Sequence, residues 1–127
     1  MNKKAAPRAI SATLTIEALG HKGDGVARHG ERAVFVPFTV PGDRVRATLD
    51  GERGAIEALI EAGPSRVLPP CRHFGECGGC ALQHIAPPAY AAWKRAQIVQ
   101  TLAQRGLPGV PVGEAIILPP AVRRRVV

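Results

Sequence analysis

Glycine-rich turns divide residues 12–62 into short segments that have the character of β-strands. Four segments carry β-branched, aromatic or alternating residues, at 12–19, 33–38, 44–49 and 55–61. The last could form a helix by propensity, but its length and the preceding Gly54 favour a strand. About five strands in such a short stretch predict a small closed β-barrel, because closure leaves no exposed strand edge.

The apolar residues of these segments predict which face of each strand is buried. Leu14, Ile16 and Ala18 fall on one face of the first strand. In the 44–49 segment, Val45, Ala47 and Leu49 share a face and two arginines take the other. Pro37 should lie at an edge or bulge, because it cannot donate a ladder hydrogen bond. Phe35 and Phe38 are expected to fill the core of a mainly β barrel of the OB (oligonucleotide-binding) type.

The composition changes after the predicted barrel. Pro87 and Pro88 open a helical segment that Gly106 and Pro108 end, the order that helix termini favour. The sequence therefore predicts five regions. They are a disordered N-terminus (1–10), a barrel (11–66), a cysteine loop (67–86), a helix (87–106) and the start of a truncated further domain (107–127).

Three cysteines fall within ten residues, with the spacing C-x5-C-x2-C. Cys71, Cys77 and Cys80 can bind one metal centre if the chain turns sharply, and the glycine pair at 78–79 permits such a turn. Zinc could take His84 or His73 as its fourth ligand, whereas a [4Fe-4S] cluster could take a fourth cysteine from beyond Val127. The spacing alone leaves zinc and iron-sulfur open.

The formal net charge of +7 fits a polyanionic partner, since clustered Lys and Arg displace counterions from nucleic-acid phosphates, but the charge alone fits a solvated basic surface equally well. Most of the excess positive charge lies after residue 70, where there are seven basic and two acidic residues. Residues 1–70 contain ten basic and eight acidic residues. We expect the basic residues of the barrel and of the C-terminal segment to contact the phosphates of such a partner: Lys22, Arg28, Arg32, Arg44, Arg46, Arg123, Arg124 and Arg125. Three further rings, those of Phe74, Tyr90 and Trp93, could stack on bases or lie in the core.

The cysteine segment, CRHFGECGGCALQH at residues 71–84, resembles the iron-sulfur segment of the bacterial uracil-5-methyltransferases that modify 23S rRNA. Residues 23–28, 34–37 and 41–43 resemble the TRAM domain of the same family, an OB-like RNA-binding barrel. The resemblance runs from about residue 11 to residue 125. It implies a [4Fe-4S] cluster held by the three cysteines and by a fourth from the next domain, and it leaves His84 as a supporting or packing residue.

Members of that family continue into a methyltransferase domain with a glycine-rich S-adenosylmethionine (SAM) loop and a catalytic cysteine. This sequence has no G-x-G turn from a strand into a helix, and all its cysteines are in the metal segment. We therefore expect the N-terminal part of a SAM-dependent 23S rRNA uracil-5-methyltransferase. It would position RNA for an absent catalytic domain, be inactive alone, and be a cytoplasmic monomer without membrane contact. The alternative is a self-contained, zinc-stabilised Cys3His RNA-binding module.

Overall fold

The computed structural model describes residues 9–119 of the 127-residue chain. These residues divide into two compact units, one ending at Ala86 and the other beginning at Pro87. The first unit contains five strands, and the second contains one helix, α1 (Pro87–Gln104). The strands are β1 (Ile10–Leu19), β2 (Gly25–His29), β3 (Arg32–Val36), β4 (Arg44–Asp50) and β5 (Arg53–Glu61).

The five strands close into a barrel in the order β1-β2-β3-β5-β4, with β4 returning to pair with β1. All neighbours are antiparallel except β3 and β5, which pair in parallel where Phe35 meets Arg53. The mainly β fold, with its closed barrel and single helix, is as the sequence predicts. The 55–61 segment is a strand, as its length and the glycine before it indicated.

Apolar side chains from alternate positions fill the barrel. β4 shows the pattern most clearly, since Val45, Ala47 and Leu49 are buried while Arg44 and Arg46 are exposed. The remaining core residues come from the three preceding strands: Leu14, Ile16, Ala27, Val34 and Val36.

The prediction that Ala18 faces the core with Leu14 and Ile16 is wrong. The register of β1 against β2 shifts between Ile16 and Ala18. Because the side-chain period of a strand is two residues, this bulge turns Ala18 to the exposed face.

The prediction that Phe35 and Phe38 fill the core is also wrong. Val34 and Val36 occupy the interior, so Phe35 between them lies on the outer face and is half-buried. Pro37 follows the end of β3, consistent with its inability to donate in a ladder. Phe38 has a φ of 64°, and its ring meets Phe74 of the cysteine segment edge-on at 5.2 Å between centroids.

The second unit is α1 with the segment that follows it. The helix ends where Gly106 takes a φ of 81° and Leu107 donates its backbone N–H to the Leu102 carbonyl at 2.9 Å, a glycine-dependent cap. Arg95 donates from Nε to the carbonyl of Val112 at 3.0 Å and thereby ties the following segment to the helix. Within residues 9–119, no helix has the length and apolar character needed to cross a membrane.

Candidate nucleic-acid interface and cysteine loop

The β2–β3 hairpin carries exposed basic side chains at its tip. Arg28 pairs with Ala33 and His29 with Arg32 across the two strands, and Gly30 makes the turn between them with a φ of 63°. Lys22 is exposed in the turn between β1 and β2. Among residues 9–119, no ion pair involves Lys22, Arg28 or Arg32. These three cations are therefore available to an anionic ligand.

Arg44 and Arg46 lie on the exposed face of β4, but each faces a carboxylate on β5. Arg44 is 3.7 Å from Glu61, and Arg46 is 3.3 Å from Glu57. Hydrogen bonds from Thr48 and Ser11 also hold Glu57, and they lower the pKa of its carboxyl group. The two arginines are thus partly compensated, in contrast to the three cations of the hairpin and turn.

A groove of about 200 Å³ opens on the outer face beside β3. We call it the Phe35 groove, and six residues line it: Gly20, His21, Lys22, Asp24, Phe35 and Arg53. Strand register builds this site, because Val26 and Arg53 are the cross-strand partners of Phe35 on either side. Arg53 is 69% exposed and lies 3.9 Å from Asp24, at the outer limit of an ion pair.

A buried ion pair joins the barrel to the chain that leaves it. Asp43 is fully buried and accepts backbone hydrogen bonds from Val40 at 2.9 Å and Gly63 at 2.8 Å. Arg66 donates to the same carboxylate from Nε and Nη2, and it also reaches the carbonyl of Phe38 at 2.7 Å. Burial alone would raise the pKa of Asp43, but the bonds from Arg66, Gly63 and Val40 outweigh it and hold the pKa below its ordinary value.

Two short segments close the cysteine loop at its base. Arg66 and Ile85 form an isolated antiparallel bridge, in which Val67 donates to the His84 carbonyl and Ala86 donates to the Ser65 carbonyl. The loop also packs back onto the barrel through Leu82. A methyl group at Gly23 would come within 2.5 Å of a Leu82 methyl, so the glycine is needed for this approach. Residues 68–83 therefore form a loop whose two ends are held together next to the barrel.

His84 and Phe74 anchor the loop from inside. His84 is buried, and its Nε2 lies 3.0 Å from the carbonyl of Thr39, which can only accept a hydrogen bond. Nε2 therefore carries the proton, and Nδ1 is a buried acceptor with no partner among the described residues. Burial lowers the pKa of His84. The rings of Phe74 and His84 stack at a tilt, 5.6 Å apart, so the predicted stacking ring Phe74 is used in packing.

The three cysteines of the metal prediction are exposed and form no disulfide. The loop turns at Gly75 and Gly78, which have φ values of 90° and 75°, and Gln83 Oε1 accepts from the backbone N–H of Cys71 at 3.1 Å. Within the described part of the chain, no three His, Cys, Asp or Glu side chains are arranged to hold a metal ion. The donor set fits a thiolate-bound metal centre in its chemistry, and the thiols are not gathered around one point.

The remaining residues that were predicted to contact RNA lie on α1 or outside the described residues. Tyr90 and Trp93 lie on α1 with their ring centroids 6.3 Å apart, and the ammonium of Lys94 lies over both rings, at 5.4 and 5.8 Å. Arg123, Arg124 and Arg125 lie outside the described residues. The sequence analysis missed His21, Asp24 and Arg53, which the β1–β2 turn and the pairing of β3 with β5 bring together around Phe35.

Several known proteins contain a sequence similar to this one. Residues 13–50 match the TRAM-domain model of tRNA (uracil(54)-C(5))-methyltransferase. An uncharacterized RNA methyltransferase of Caulobacter vibrioides is 48% identical over 114 residues, which are 89% of this chain and 27% of the relative. The 23S rRNA (uracil(1939)-C(5))-methyltransferase RlmD of Halomonas elongata is 43% identical over 104 residues, 76% of this chain and 22% of the relative.

The chain thus spans about a quarter of the length of the curated relatives it matches. The TRAM match covers the region from β1 to β4, which builds most of the barrel wall and contains all the basic barrel residues predicted to contact RNA. The barrel is thus a TRAM domain of the kind found in the tRNA and rRNA uracil-C5-methyltransferase family, and the chain is similar over most of its length to RNA methyltransferases.

Proposed function

We propose that this chain is the RNA-binding and iron-sulfur portion of a SAM-dependent 23S rRNA uracil-5-methyltransferase, and that it positions RNA for methylation. The observation that carries the proposal is a TRAM barrel whose Lys22, Arg28 and Arg32 are exposed and form no ion pair with another described residue. Phosphate contacts by such side chains fix the register of a bound strand without reading its sequence. Relatives named as 23S rRNA methyltransferases support rRNA as the substrate.

The cysteine loop would hold the iron-sulfur cluster through Cys71, Cys77 and Cys80. When bound, the cluster would supply order, because a loop rich in Gly and Pro buries too little apolar surface to fix its own conformation. The burial of His84 between Phe38 and Phe74 supports iron-sulfur over a Cys3His zinc site that uses His84, because the three cysteines are exposed.

The RNA-binding proposal can be tested with two double variants. Arg28→Ala/Arg32→Ala removes two cations that have no acidic partner within residues 9–119, whereas Arg44→Ala/Glu61→Ala removes one exposed ion pair and preserves the net charge. We expect the first variant to weaken binding of single-stranded rRNA fragments. It should also reduce the slope of log K against log salt by about 0.7 for each phosphate that the variant no longer neutralises.

The second variant serves as the matched control and should bind as the unmodified chain does. Fluorescence anisotropy at several salt concentrations measures both quantities. Binding that does not change with salt, or an equal loss of affinity in the two variants, would refute the assignment of the phosphate contacts to the hairpin.

The metal proposal has a separate test. Anaerobic reconstitution should give about four iron and four sulfide per chain together with visible absorbance. Cys77→Ser should abolish this absorbance. Stoichiometric zinc in a colourless protein would instead identify the Cys3His alternative.

A further inference from the structure

The Phe35 groove combines an aromatic side chain on the barrel surface with cationic neighbours. Phe35 lies over the β1–β2 turn, where a methyl group at Gly20 would be 3.6 Å from its Cε1. Lys22 lies in this turn, and Arg53 is the strand neighbour of Phe35 on β5. The two cations and the one carboxylate of Asp24 together contribute a formal charge of +1 to the groove.

This combination fits one ligand chemistry in particular. An aromatic ring offers a face to any nucleobase, and cations beside it can contact the adjoining phosphates. The volume of about 200 Å³ is smaller than the roughly 300–1,000 Å³ of sites that enclose drug-sized molecules. The groove therefore suits one flat group that is attached to a longer chain outside it.

Other surfaces of the described chain fit this chemistry less well. A second groove on the barrel includes Phe38, Asp50 and Arg53, but the ring of Phe38 is in contact with the rings of Phe74 and His84. On α1, the ammonium of Lys94 lies over the rings of Tyr90 and Trp93. The Phe35 groove contains Lys22, which forms no ion pair within residues 9–119, beside Arg53, whose pair with Asp24 is at the outer limit of 3.9 Å.

We propose that the Phe35 groove is a stacking site for one unpaired nucleobase, with Lys22 and Arg53 contacting the phosphates on either side of it. This inference rests on the proposed RNA-binding function and deepens it, because it assigns a base contact beside the phosphate contacts of the hairpin. It requires a single-stranded or flipped-out nucleotide, since a base inside a duplex does not expose its face.

The test compares Phe35→Leu, which keeps an apolar side chain without a π face, with Phe35→Tyr, which keeps the ring. Binding of a fluorescein-labelled uridine dodecamer is followed by anisotropy at low and physiological salt. We expect Phe35→Leu to weaken binding about fivefold or more with an unchanged salt slope, and Phe35→Tyr to bind as the unmodified chain does. Lys22→Ala should instead reduce the salt slope by about 0.7.

An abasic oligonucleotide with the same phosphates provides the second measurement. The unmodified chain should lose affinity for it, and the difference between the unmodified chain and Phe35→Leu should disappear. This comparison uses the unmodified chain as its reference, so it remains informative if Phe35→Leu folds poorly, which circular dichroism would reveal.

The outcomes separate the two proposals. Equal binding of normal and abasic RNA, or equal losses of affinity in Phe35→Leu and Phe35→Tyr, would overturn the stacking site while leaving RNA binding intact. An unmodified chain that binds neither RNA at low salt would overturn the proposed function and this inference together.

Discussion

Replacing Asp43 with alanine should be among the most destabilising single changes in the barrel. Its carboxylate is fully buried and satisfies two backbone N–H groups and the guanidinium of Arg66. Alanine would leave all three donors without their acceptor. Breaking a buried pair by removing one partner costs about 3–5 kcal/mol.

The structure favours the lower end of that range. Arg66 is 19% exposed and retains its bond to the Phe38 carbonyl, so its charge can still be solvated in part. A loss of about 3 kcal/mol is a large fraction of the roughly 5–15 kcal/mol that holds a typical domain folded. With a urea dependence of about 1–1.5 kcal/mol per molar for so small a barrel, the unfolding midpoint should fall by about 2–3 M.

Urea unfolding followed by far-ultraviolet circular dichroism measures this change, with Glu61→Ala as the matched control. Glu61→Ala also removes one carboxylate, but from an exposed pair whose contribution should be about 0–1 kcal/mol. If Asp43→Ala and Glu61→Ala shifted the midpoint equally, the buried pair could not be what joins the β3–β4 segment to the chain after β5.

The pH dependence of this difference follows from the lowered pKa of Asp43. A carboxyl group whose folded-state pKa is depressed stabilises the fold above its unfolded pKa, and that stability is lost as the pH falls through the folded value. The stability gap between the unmodified chain and Asp43→Ala should therefore be constant above about pH 5 and narrow at more acidic pH. A gap that stayed constant into strong acid would contradict the charged pair.

One substitution each tests the buried histidine, the cysteine loop and the close packing at Gly25. Burial lowers the pKa of His84, so the unfolded chain binds a proton at this residue more readily than the folded chain does. The free energy of unfolding should therefore fall as the pH drops below 6.5. His84→Gln should reduce this pH dependence, which urea titrations at several pH values measure. Cys77→Ser should reduce amide protection in residues 68–83 of the reconstituted protein and leave the strands protected, and loss of protection throughout the barrel would contradict this. Gly25→Ala should destabilise the barrel by about 1–3 kcal/mol, since the new methyl group would overlap Thr39 and Ile16, and an unchanged thermal midpoint would refute this.

Strict alternation and helix punctuation could be predicted from the sequence because both are local. In β4 polar and apolar residues alternate without interruption, so the buried face follows directly. The 33–38 segment is apolar at every position, and nothing in it shows which residues face inward. In the structure the two valines of this segment are buried and Phe35 lies on the outer face of the barrel. The ring that was predicted to lie in the core is therefore part of the candidate site.

The charge pattern around the site depended on contacts between distant parts of the chain. The pairing of Arg46 with Glu57 follows from the antiparallel register of β4 and β5, which includes two irregular steps. Likewise, the buried carboxylate of Asp43 is 23 residues from Arg66 in sequence. The sequence therefore predicted the basic residues and the cysteines as candidates, whereas only the fold separates compensated cations from available ones.

The bridge between Arg66 and Ile85 has a consequence for how the cysteine loop can be ordered. Bringing the ends of a flexible segment together carries an entropic cost that grows only slowly with its length. In this chain the Arg66–Ile85 bridge already holds the two ends together, so binding at the cysteines does not carry that cost again. Ligand binding at the cysteines would then restrict only the internal rotations of residues 68–83. The residues between Phe74 and Leu82 can therefore change their conformation around a bound group while the two ends of the loop, and its contacts with the barrel through Phe74 and Leu82, stay fixed.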